Sequence, residues 1–111
     1  MNLNDYQELS TRTMPKQPYQ KRDLANYCMG LSGESGELVD LLKKHIFHGH
    51  ELDREAARYE LGDILHYWSG LCKMLGFTTE EVAEANIQKL MRRYPDGFST
   101  ADSVKRVDVN G

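Results

Sequence analysis

Residues 30–68 read GLSGESGELVDLLKKHIFHGHELDREAARYELGDILHYW. Leu31, Leu38, Leu41, Leu42 and Ile46 recur at helical steps, and Leu24 and Tyr27 extend the series upstream. In a helix of 3.6 residues per turn that spacing makes one continuous apolar stripe. Beyond Gly49 the pattern resumes at Ala57, Leu61, Ile64 and Trp68, then Leu71 and Leu75. No sustained run of β-branched residues alternates with polar ones anywhere in the chain, so the expected class is all-α.

Working outward, the first of these two helices begins near Arg22 and runs to about Phe47, with Gly49 as its C-terminal cap. Asp53 is the expected N-cap of the next, which reaches about Leu75 and is closed by Gly76. A shorter helix over about residues 3–13 precedes them and stops before Met14-Pro15, where a connector continues through Pro18. A last helix, capped by Thr78 or Thr79 with Glu80 or Glu81 near its positive end, continues to about Arg93 before Pro95. The reading is therefore four helices in one domain over residues 1–98. Residues 99–111 carry few apolar groups and are expected to form a loose polar tail, ordered only against a partner subunit.

Composition narrows the function. With 111 residues the chain is one small domain, and a domain of this size hides only a modest share of its apolar surface alone, so oligomerisation is expected. A formal charge of −3 provides no basic field for nucleic-acid phosphates, and no nucleic-acid partner is expected. No apolar run approaches the roughly 20 residues that span a bilayer, and MNLNDYQELS lacks the features of a signal peptide. A cytoplasmic protein without a membrane role is the expectation. Cys28 and Cys72 each stand alone in apolar helical segments and read as reduced core residues.

The chemistry is carried by acids. Residues three apart project from one side of a helix, so Glu34 with Glu37, and Glu60 with Asp63, each form a two-carboxylate claw. Spacing alone decides little, because Asp5/Glu8, Glu37/Asp40 and Glu81/Glu84 share it and exposed carboxylates are the ordinary case. Position separates the two claws: Glu34 lies on the apolar stripe between Leu31 and Leu38, and Glu60 precedes Leu61 and lies four before Ile64. Carboxylates gathered beside a core repel one another unless a cation neutralises them, and all-oxygen donors suit Mg2+, with Mn2+ as a substitute. Gly30, Gly33, Gly36 and Gly62 fall inside these helices at about 1 kcal/mol each relative to alanine. Either close approach of a facing helix or substrate, or plain tight packing, accounts for them.

With these residues in view, the stretch 30–68 resembles the MazG-like, all-α nucleoside triphosphate pyrophosphohydrolases. NIQKLMRRYPDGFS at 86–99 resembles the close of the same domain, and YQELSTRT at 6–13 extends the likeness over nearly the whole chain. The family pattern of Glu-x-x-Glu followed one hairpin later by Glu-x-x-Asp falls on Glu34, Glu37, Glu60 and Asp63. The resemblance implies Mg2+-dependent hydrolysis of a (deoxy)nucleoside triphosphate between the α and β phosphates, giving the monophosphate and pyrophosphate. It also implies a homodimer or homotetramer built as a helix bundle, whose site borrows groups from a neighbouring chain. Some relatives place an additional glutamate, able to act as general base, before the first motif acid; here that position is Gly33.

Such a reaction depends on positioning and on cancelling negative charge. Cationic help is expected from Lys43 or Lys44 and from Lys89, Arg92 or Arg93, with Lys44, Lys89 and Arg93 favoured. Asn86 shares the face of Lys89 and is suited to ribose or phosphate, and Tyr94 to stacking or hydrogen bonding. Tyr6, Gln7, Tyr67 and Trp68 are candidates for a base pocket. His45, His48 and His50 also cluster, but their place at a helix C-terminus fits favourable charge more simply than a transition-metal site. Two other functions remain open: a non-catalytic helical dimer binding nucleotides or a protein partner, and a hydrolase of another nucleotide pyrophosphate.

Overall fold

The computed structural model describes residues 1–105 as helices α1 (Leu3–Ser10), α2 (Lys21–Phe47), α3 (Arg54–Met74), α4 (Thr79–Arg93) and α5 (Thr100–Lys105). No strand occurs among the described residues, so the expected all-α class is the observed one. Helix α2, 27 residues long and so about 40 Å, packs most extensively against α3. Helix α1 crosses onto α3, α4 meets α1 and α3, and α5 rests on α4.

Local chemistry sets the helix ends. Asp53 caps α3 as its sequence position indicates, its carboxylate accepting from the Ala56 N–H at 3.0 Å. Thr78 caps α4 in a capping box: its hydroxyl accepts from the Glu81 N–H at 3.1 Å, and Glu81 accepts from the Thr78 N–H at 2.7 Å. At the end of α3, Gly76 takes φ +85°, and the Phe77 N–H donates to the Cys72 carbonyl at 2.8 Å in a Schellman closure. Gly49, at φ +73°, turns the chain after His48.

Three expectations need correction here. Helix α1 ends at Ser10 and not near residue 13, because the Thr11 hydroxyl donates to the Gln7 carbonyl and the chain turns towards Met14. Residues 100–105, expected to be loose, form α5, whose first turn is held by the Asp102 N–H donating to Ser99 Oγ at 3.0 Å. Residues 106–111 of the expected tail lie outside the described residues. Cys72 is buried but Cys28 is exposed, so only one cysteine joins the core.

The interior gathers where α1, α3, α4 and the first turns of α2 meet. Met14, Tyr27 and Cys72 are buried there, with Gln7, Thr11, Ser69 and Thr79 as polar companions. Gln7 joins three elements: Nε2 donates to the Phe77 carbonyl at 2.9 Å and the Ser69 carbonyl at 3.5 Å, while Oε1 accepts from the Thr79 N–H at 3.4 Å. The Thr79 hydroxyl donates to the Leu3 carbonyl at 2.7 Å. At the opposite end, α2 and α3 project as a two-helix arm on which no third layer lies among the described residues. Ile46 and Leu61, read as core from their spacing, are therefore 65% and 55% exposed, and Leu75, also read as core but the C-cap of α3 at the other end, is 59% exposed. The apolar stripe is longer than the cover this chain supplies.

Candidate acidic site

The acids lie on the arm. Glu34 on α2 comes together with Glu60 and Asp63 on α3, one carboxylate oxygen from each lying within 4.8 Å of the others. Glu34 and Glu60 are half-buried and Asp63 is exposed. Glu37 stands one turn along α2, exposed, outside this closest group. It lines a polar cavity of about 280 Å3 together with Glu60, Asp40, Lys44, His50, Glu51 and Asp53.

This assembly is electrostatically unfavourable as it stands. A hydrogen bond to Glu34 raises the Glu60 pKa above the usual glutamate value, and desolvation and the charges of Glu34, Asp63 and Glu37 push the same way. Glu60 Oε2 is buried and has no hydrogen-bond partner. A buried carboxylate oxygen with unused lone pairs, flanked by further carboxylates, is a donor set for a hard divalent cation.

Glycines bare the surroundings. At Gly33, Gly36 and Gly62 an added Cβ would meet nothing within 4 Å, so the backbone beside Glu34, Glu37 and Asp63 is open. Gly30 differs, because a Cβ there would fall within 2.6 Å of three atoms of the Tyr67 ring. Packing against a facing side chain thus accounts for Gly30, whereas Gly33, Gly36 and Gly62 face open space.

The expected cationic groups are spread out. Lys44 borders the polar cavity, paired with Asp40 at 2.9 Å, which raises its pKa and lowers that of Asp40. Asn86, Lys89 and Arg93 lie on α4, which packs on α1 and α3 rather than extensively along α2. Arg93 lies over the Tyr94 ring at 5.1 Å, and Tyr94 packs against Phe98 at 5.2 Å. Gln7 leaves the candidates for base recognition, since it is 4% exposed and both ends of its amide bind backbone. His45 Nδ1 pairs with the His50 carbonyl at 2.9 Å, and no histidine joins a metal-competent group among the described residues.

Sequence reasoning missed His50, Glu51 and Asp53 as neighbours of the acids. They line the cavity because the chain turns back after Gly49, and only that glycine hinted at the turn. No helix among the described residues is long and apolar enough to cross a membrane. Residues 22–98 match the model of the MazG nucleotide pyrophosphohydrolase domain. No curated protein and no solved structure gives a significant match.

Proposed function

The chain belongs to the MazG nucleotide pyrophosphohydrolase family, and from that premise we propose that it hydrolyses a (deoxy)nucleoside triphosphate between the α and β phosphates, with Mg2+ at Glu34, Glu37, Glu60 and Asp63. The observation that carries this reading is the convergence of Glu34, Glu60 and Asp63 around an unpartnered, buried Glu60 oxygen. Divalent cations bound there would supply charge neutralisation at the phosphate oxygens and activation of the attacking water. The side chains' own work is to hold that charge: Glu34, Glu60 and Asp63 as the close donors, with Glu37 completing the set from the next turn of α2.

Lys44, beside Glu37 and Glu60 in the polar cavity, is placed to meet outer phosphate oxygens once drawn from Asp40. The open backbone at Gly33, Gly36 and Gly62 leaves room for a bulky polyphosphate next to the acids.

The working unit in this proposal is a homodimer or homotetramer. The radius of gyration is 17.1 Å, against about 13 Å for a compact chain of this length. Val39, Ile46, Phe47 and Leu61 are exposed on the arm, and Ile87, Leu90 and Met91 on α4. A second copy covering these faces supports the stripe that this chain leaves bare, and it offers a route by which Asn86, Lys89, Arg93 and Tyr94 reach the acids of a neighbour. We place the enzyme in the cytoplasm, with residues 1–98 as the catalytic domain.

A panel of ribo- and deoxyribonucleoside triphosphates with Mg2+ tests the reaction, with the leaving group identified. Pyrophosphate release is the expected result. Release of single phosphates alone would refute α–β cleavage, and silence across the panel would favour a binding protein.

A further inference from the structure

Helices α2 and α3 carry the same tetrapeptide pattern, Tyr-x-x-Gly, at Tyr27–Gly30 and at Tyr67–Gly70. The two copies lock reciprocally. The Tyr67 ring lies on the bare backbone at Gly30, and the Tyr27 ring lies on Gly70, where an added Cβ would also fall 3.3 Å from Met14 Sδ. The two rings meet edge to face at 5.3 Å, and His66, anchored by Ser10 at 2.7 Å, packs against both.

These contacts share one antiparallel register with the acids. Each step forward along α2 from Tyr27 to Gly30, Glu34 and Glu37 is matched by an equal step back along α3 from Gly70 to Tyr67, Asp63 and Glu60. The Gly30–Tyr67 contact therefore lies one helical turn from Glu34 and Asp63, whereas Tyr27–Gly70 lies two turns away. Leu38, Leu41, Leu42 and Ile64 are half-buried along the arm, but among the contacts that set how α2 slides against α3 the two ring-on-glycine seats are the closest fits, and the acids themselves repel.

We infer that Gly30 and Tyr67 are positioning residues for the metal site: the ring seated on bare backbone sets the spacing and register that bring Glu34 within reach of Glu60 and Asp63. The inference rests on the proposed metal-binding role of those acids. Its chemistry is steric, since a side chain at Gly30 drives the ring or the helix away and parts the donors by more than cation coordination tolerates.

Mn2+ titration of the full chain, followed by electron paramagnetic resonance beside thermal melts, separates this role from plain stability. Gly30→Ala is expected to weaken Mn2+ binding roughly 10- to 100-fold, the range for residues that orient metal ligands. Gly70→Ala, an equally close steric insult farther from the acids, should lower the melting temperature yet leave Mn2+ affinity near wild type. Tyr67→Phe keeps the ring and should bind Mn2+ as the wild type does. If Gly30→Ala does not fold, Tyr67→Ala against Tyr27→Ala makes the same comparison, with only the former losing affinity.

Equal loss in the near and far variants, or wild-type affinity in the near one, overturns the positioning role. Absence of Mn2+ binding in the wild-type protein removes the metal reading itself, and this inference with it.

Discussion

Two polar regions of this molecule are built on opposite rules. At the junction of α1, α3 and α4, neutral groups are buried and matched: Gln7 bridges Ser69, Phe77 and Thr79, and Thr79, fully buried, reaches the Leu3 carbonyl. On the α2–α3 arm, carboxylates are brought together without an opposite charge in their closest group, and Glu60 keeps an oxygen unpartnered. Matched polar groups stabilise a fold, whereas crowded like charges cost stability and persist where a ligand relieves them. The contrast separates the scaffold from the candidate site without reference to any relative.

The largest effect expected from breaking this contrast is at Glu60. Glu60→Gln should reduce turnover of the best triphosphate by roughly 100- to 1,000-fold, as loss of a charge-stabilising group does. In the same variant the metal-free melting temperature should rise, because one of the repelling charges is gone. Glu37→Gln should lower turnover to a similar or smaller degree with helical content intact; wild-type rates in either variant would remove that residue from the site.

Gln7→Ala should behave in the opposite sense. It leaves the Phe77 carbonyl and the Thr79 N–H without their partner and should destabilise the protein by about 2–3 kcal/mol, read from urea denaturation. Mn2+ affinity per folded molecule should be unchanged, and a parallel loss of it would merge the two regions into one.

A smaller, pH-dependent effect follows from Glu60. Its folded pKa is raised above the unfolded reference of 4.5, so the folded state holds the proton more tightly. The contribution of this group to stability is therefore fully present below pH 4.5 and is lost as pH rises through the raised value. In melts of metal-free wild-type protein against Glu60→Gln, the gap between the two should widen as pH rises through that window. Saturating Mg2+ should narrow it. The smallest effect is at Glu55→Gln, which breaks a pair with Arg58 whose side chains are 60% and 71% exposed and should leave the melting temperature unmoved.

These regions also differ in how readily the sequence discloses them. Asp53 and the Thr78–Glu81 pair are local signals, each acting within one turn, and they mark the starts of α3 and α4. The spacing of the four acids is local too, and so was legible. Which acids face one another is a property of two helices meeting, and it depends on rings and glycines whose partners lie some forty positions away in sequence. Apolar periodicity identifies the face carrying Ile46 and Leu61, but it cannot say whether this chain or another covers that face. Nothing local to Gln7 shows that its amide binds backbone, because Phe77 and Thr79 lie some seventy positions away.

The alternation of tyrosine and glycine along the α2–α3 seam also bears on folding. Shifted one turn in one direction, the hairpin would drive Tyr27 into Tyr67 and wedge the helices apart; shifted the other way, it would set Gly30 against Gly70 and leave a hollow. Thick against thin fits where neither one-turn shift does. A seam of uniform leucines would tolerate several alignments during collapse. This one rejects its nearest misaligned neighbours on shape alone.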